Sequence, residues 1–149
     1  MQAGFAHESN GQEGDDSRSL NIAFIRPVFT FGDESRWHLT LAPKVYAYLE
    51  KGDNPDIDHY RGYVDLLVKV GRLEGFELTA TLRKGVKKSY GSAQLDVSYP
   101  IALLARRMGA FLQLQYFYGY GDTLLGYDDN AHSQLRAGFM IVPYGALYR

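Results

Sequence analysis

Residues 37–50 alternate with a period of two: Trp37, Leu39, Leu41, Pro43, Val45, Ala47 and Leu49 lie between His38, Thr40, Lys44, Tyr46, Tyr48 and Glu50. Successive side chains of a strand point to opposite faces, so this pattern predicts one strand with an apolar side along its whole length. After a loop at 51–58 the pattern returns. Tyr60, Val64, Leu66, Val68 and Val70 oppose Arg61, Asp65 and Lys69, and Phe76, Leu78, Ala80 and Leu82 oppose Glu77, Thr79, Thr81 and Arg83. Ala93, Leu95, Val97, Tyr99 and Ile101 then oppose Ser92, Gln94, Asp96 and Ser98. Ala110, Leu112, Leu114, Tyr116 and Tyr118 oppose Gln113 and Gln115, with Phe111 and Phe117 on the second side. A polar loop at 122–130 precedes the last strand, where Leu135, Ala137, Phe139 and Ile141 oppose Gln134 and Arg136.

Upstream the alternation is weaker. A second strand over about 18–31 puts Ala23, Ile25, Pro27, Phe29 and Phe31 on one face, but its other face is not clearly polar, and Gly32, Asp33, Glu34 and Ser35 form the turn after it. The count is about eight strands with little helix signal, joined alternately by short turns and longer polar loops.

Two architectures share this pattern. A soluble sandwich or barrel turns the apolar face inward, whereas a membrane barrel turns it outward into lipid. Segments of about 10 to 14 residues exceed ordinary soluble strands and suit a tilted crossing of a bilayer. Tyr48, Tyr60, Tyr99, Tyr118 and Tyr120 near strand ends fit interfacial girdles. The fold class expected is therefore all-β, an antiparallel transmembrane β-barrel.

The first strands hold the candidate chemistry. His7 and Ser9 share one face of a strand, and the polar, glycine-rich run at 10–16 marks a connection to the next. With the turn centred on Gly14, position 7 pairs with 21 and 9 with 19, so His7, Ser9, Ser19 and Asn21 face the same way. Serine becomes a useful nucleophile when a base takes its proton and a third group orients that base. Ser9, His7 and Asn21 could fill those roles. Spacing alone equally describes a His and a Ser decorating an exposed strand.

Composition narrows the partners. Sixteen basic and 17 acidic residues leave a net charge of -1, which is no nucleic-acid footprint. Cysteine is absent, which excludes disulfides and thiolate metal sites. The 12 tyrosines, against 8 phenylalanines, provide rings suited to a membrane boundary. The start, MQAGFAHESNG, does not read as a signal peptide.

From about Gly4 to Ile141 the chain resembles the outer-membrane phospholipase A enzymes of Gram-negative bacteria. The resemblance is carried by HESNG (7–11), SRSLN (17–21), GDNPDI (52–57), the nearby Tyr60 and Gly62, SYPI (98–101) and YGYGDTLL (118–125). The first two motifs together are highly specific. The resemblance implies calcium-dependent hydrolysis of sn-1 and sn-2 acyl esters of phospholipids and lysophospholipids. Ser9 would be the nucleophile, His7 the base and then the acid, and Asn21 the group orienting His7. The backbone N–H of Gly11 would donate to the oxyanion, and the carbonyls of Gln12 and Ser17 would bind calcium in an active homodimer. The position of Asp53 matches a second, inactive-state calcium site.

The chain departs from the family in places. Gln12 stands for a frequent arginine, Gly14 stands where a carboxylate can occur beside Glu13, Asp15 and Asp16, and Leu20 replaces a common tryptophan. The resemblance also implies a twelve-stranded barrel, about four strands of which would precede HESNG together with a signal peptide. Residues 1–149 are then expected to be a single barrel domain lacking those strands. The competing expectations are an inactive truncated barrel fragment and a small porin-like barrel, which leaves His7, Ser9 and Asn21 unexplained.

Overall fold

A computed structural model describes residues 1–33, 36–72, 75–105 and 108–143. Glu34 and Ser35, expected in a turn, lie outside these described residues. The described chain is one antiparallel sheet of nine strands. In chain order they are β1 (Gln2–Ser9), β2 (Ser19–Arg26), β3 (Phe29–Gly32), β4 (His38–Glu50), β5 (Val64–Gly71), β6 (Glu77–Lys84), β7 (Gly91–Ala105), β8 (Met108–Gly119) and β9 (Ala131–Pro143). The spatial order is β1-β2-β4-β5-β6-β7-β8-β9, with β3 paired to β4 off that path, and the sheet is not closed among the described residues.

Apart from β2 and β3, which both pair with β4, sequence neighbours pair along the sheet, and the expected eight rows are present. The strand expected over 18–31 is broken after Arg26, and its second half is the separate strand β3. Pro27 lacks the N–H that a ladder needs, which accounts for the break.

Alternation assigns the faces. Leu39, Val45 and Leu49 on β4, Leu66 and Val70 on β5, Leu95 and Tyr99 on β7 and Leu135, Phe139 and Ile141 on β9 are all exposed on one side. The opposite, inner face holds charges in pairs: Arg83 Nε lies 3.1 Å from Asp65 Oδ1, and Lys69 Nζ lies 2.9 Å from Glu77 Oε1. An apolar face left bare over so many strands is that of a sheet whose outer solvent is lipid.

The C-terminal ends of β3, β5 and β7 lie at one end of the sheet, and the long connections at 10–18, 51–63, 85–90 and 120–130 lie at the other. A short helix, α1 (Ile57–Arg61), interrupts the stretch read as a fourth strand from Tyr60. Tyr60 and Arg61 are therefore helical, and the strand begins at Val64. Five residues are less than two helical turns, too few for a 3.6 period to register in sequence.

This helix fills the inner side at the long-loop end. Ile57 is fully buried in a cluster with Leu20, Ile22, Tyr46 and Leu124. Buried Asn54 donates from Nδ2 to the Leu124 carbonyl at 2.7 Å, tying the 51–63 connection to the 120–130 loop.

The tyrosines divide accordingly. Tyr99 and Tyr118 lie exposed on the outer face. Tyr48, Tyr60 and Tyr120 do not form a girdle: the Tyr48 hydroxyl donates to the Gly62 carbonyl, and Tyr60 packs on Tyr90 and Tyr120 at 4.5 and 5.5 Å between ring centroids. The reason is that an opening filled by loops offers these rings both stacking partners and backbone acceptors.

Candidate active site

The β1–β2 hairpin has the register that a turn centred on Gly14 predicts. His7 pairs with Asn21, Glu8 with Leu20 and Ser9 with Ser19. His7, Ser9 and Asn21 thus share the outer, apolar face, and His7 Nδ1 lies 2.9 Å from Asn21 Oδ1. An amide oxygen only accepts, so this contact holds the imidazole proton on Nδ1 and leaves Nε2 as the acceptor.

Ser9 Oγ accepts a hydrogen bond from the backbone N–H of Gly11 at 3.2 Å. Gly11 has φ of +68°, a left-handed conformation, and a Cβ there would meet nothing within 4 Å. Backbone conformation, not crowding, selects glycine at this position.

The connection is held by its own polar groups. Asn10 Oδ1 accepts from the N–H groups of Gln12 at 3.3 Å and Arg18 at 3.0 Å, while Asn10 Nδ2 donates to the Asp16 carbonyl at 2.7 Å. Gly14–Asp16 form a 3-10 turn, and the Arg18 guanidinium donates to the carbonyls of Asp15 at 2.7 Å and Ser17 at 2.8 Å. These carbonyls gather on positive charge, and a loop of carbonyl and carboxylate oxygens is the donor set that suits a hard cation. Among the described residues no group of three His, Cys, Asp or Glu side chains could hold a metal, so a site here would rest on main-chain oxygens.

Asp53 is brought to the same outer edge. Its Oδ2 accepts from both the N–H and the hydroxyl of Ser19, at 2.9 and 3.0 Å. The structure therefore gathers His7, Ser9, Gly11, Asn21 and, by way of Ser19, Asp53 at one end of the hairpin.

Below the polar groups the same outer rows are apolar. A groove of about 620 Å³ lies open there, with Phe5, Ile25 and Val45 over a floor of Ala3, Ala23 and Ala47. Ala23 pairs with Ala47 and Ala3 with Ile25, so small side chains in two neighbouring rows of three adjacent strands make this groove.

Sequence reading missed two residues on the inner face, Glu8 and Arg61. Arg61 is buried, its Nη1 donates to both carboxylate oxygens of Glu8 at 3.1 and 2.9 Å, and its Nε donates to the Gly121 carbonyl at 3.0 Å. The available signal was a carboxylate between His7 and Ser9, pointing to the face opposite theirs.

Comparison with known proteins follows the same lines. A family model described as Phospholipase A1 matches residues 1–141. The chain is 34% identical to phospholipase A1 of Escherichia coli K12 over 139 residues, which is 93% of this chain and 43% of that protein. Outer membrane phospholipase A from Escherichia coli superposes with a TM-score of 0.74 at 29% identity, covering 94% of this chain and 50% of that one. The Salmonella typhi outer membrane phospholipase, a dimer with bound calcium, gives a TM-score of 0.72 at 30% identity over the same shares. The chain thus spans about half the length, or less, of the proteins it matches. The apolar outer face, the paired inner charges and this likeness make the sheet a section of outer-membrane β-barrel wall. With residues 1–141 of its 149 matched by that family model, the chain belongs to the phospholipase A1 family.

Proposed function

We propose that this chain is part of a calcium-dependent outer-membrane phospholipase that hydrolyses sn-1 and sn-2 acyl esters of phospholipids and lysophospholipids through Ser9, His7 and Asn21. The observation that carries the reading is the 2.9 Å bond between His7 and Asn21, paired across two strands on a lipid-facing surface beside Ser9.

In this reading Asn21 keeps the His7 proton on Nδ1, and Nε2 takes the Ser9 hydroxyl proton as Oγ attacks the acyl carbonyl. The imidazolium then returns that proton to the departing alcohol, leaving an acyl ester on Ser9. His7 next takes a proton from water, whose oxygen attacks the ester, and the proton returns to Ser9 as the fatty acid leaves. The Gly11 N–H, which donates to Ser9 Oγ at 3.2 Å, is placed to donate to the oxyanion as negative charge develops. The acyl chain lies in the groove over Ala3, Ala23 and Ala47.

The carbonyls of Gln12 and Ser17 would hold calcium, with Asp53 in a second site. When bound, calcium supplies positive charge and a polarised water beside the oxyanion. A second copy of the chain would cover the outer groove and wall in the acyl chain, and the Salmonella typhi relative is described as a dimer with bound calcium.

The test is fatty-acid release from phospholipid–detergent micelles, with calcium or with a chelator. Calcium-dependent release is expected, and Ser9→Ala should lower its rate by about a thousandfold or more. An unaltered rate in Ser9→Ala would remove the assigned nucleophile, and equal turnover in chelator would remove the metal.

A further inference from the structure

β1 carries both His7 and Ser9. Glu8 lies between the two, on the inner face, where Arg61 Nη1 holds both of its carboxylate oxygens. Arg61 is itself fixed at several points. Its Nε donates to the Gly121 carbonyl at 3.0 Å, its own carbonyl accepts from the Tyr46 hydroxyl at 3.1 Å, and its residue is only 6% exposed.

Gly121 completes the seat: a Cβ there would stand 2.6 Å from Arg61 Cγ, and its φ of +76° also disfavours any other residue. The connection that supplies Arg61 also supplies Asp53, which accepts two hydrogen bonds from Ser19, the residue paired with Ser9. A single segment, 53–61, therefore grips the catalytic hairpin from both faces.

We propose that Arg61 is a positioning residue: through Glu8 it fixes the orientation of the β1 backbone, and so the approach of Ser9 Oγ to His7 Nε2. The inference rests on the roles assigned above to Ser9 and His7. A single ammonium cannot satisfy both Glu8 and Gly121 as the planar guanidinium does, so lysine is not an equivalent replacement.

The experiment compares Arg61→Lys, Glu8→Gln and the double variant in the full chain, using phospholipid–detergent micelles with calcium. Arg61→Lys should lower kcat by about tenfold or more with KM nearly unchanged, the loss of a charged hydrogen bond. Glu8→Gln should act in the same direction, and the double variant should be no worse than Arg61→Lys alone. Amide hydrogen exchange at residues 7–9 should rise in each variant while the exchange of β7 and β8 stays as it was.

An unchanged kcat in Arg61→Lys, or fully additive losses in the double variant, would overturn the proposal. If no form of the chain hydrolyses lipid, the phospholipase reading fails instead, and hydrogen exchange decides the clamp by itself. Unaltered protection at residues 7–9 in Arg61→Lys would then sink it. Should Arg61→Lys fail to fold, Glu8→Gln alone carries the same two readouts and the same criteria.

Discussion

The contact between His7 and Asn21 depends on strand parity. Positions 7 and 21 lie equally far from Gly14, and the observed pairing puts the two side chains opposite each other on the outer face. A shift of one residue would send one of them to the inner face. Asn21→Ala removes the acceptor that holds the proton on His7 Nδ1 and should lower kcat on phospholipid micelles about tenfold to a hundredfold. An unaffected kcat would mean that the ring is oriented by something else. This part of the site was legible because a short hairpin links parity directly to sequence. The Glu8–Arg61 pair was not, since 53 positions separate its members and no periodicity connects them.

Among the elements, α1 is the one that sequence patterning mistook for strand. It is held by long-range contacts: Ile57 in the core cluster, Arg61 on Glu8, and, at Asp56 just before the helix, the Tyr127 hydroxyl donating to Oδ1 at 2.5 Å. Asp58, on the same helix, receives hydrogen bonds from Lys51 and from the Tyr63 hydroxyl. Burial works to raise its pKa, but the Lys51 bond and charge outweigh that and hold the carboxyl below its ordinary value. A carboxylate with a lowered folded pKa stabilises the fold above its unfolded pKa, and that contribution disappears as pH falls through the folded value. The loss therefore belongs below about pH 4. Asp58→Asn should reduce stability near neutral pH by about 1 kcal/mol or less, and should make unfolding less dependent on pH on the acid side. Denaturant unfolding at pH 7 and pH 3 measures both; parallel curves for the two proteins would refute the link.

At the scale of the molecule, the inversion of the faces has a consequence that a soluble sheet would not share. Leu95, in the middle of β7, is 41% exposed on the outer face, whereas Gln113 on β8 is half-buried on the inner face near Asp96. Leu95→Arg should cost about 2–4 kcal/mol in lipid vesicles, while Gln113→Arg should cost less. Urea unfolding from vesicles checks this, and a cost near zero for Leu95→Arg would argue that the outer face meets water. Which face meets lipid could not be read from alternation, because a period of two is the same for either assignment. Strand length and the resemblance favoured the membrane, and exposure in the folded sheet settled it.

The sequence by itself determined most of the strands, their antiparallel order and the hairpin register, because period-two alternation and short connections act between neighbours in the chain. Only the tertiary structure decided where Tyr60 and Arg61 lie, how the 51–63 and 120–130 connections fill the inner end, and what holds β1 from behind. Those outcomes depend on burying Ile57 and Leu124 against Leu20 and on giving Arg61 and Asn54 partners far away in sequence, demands that arise only once the sheet has formed.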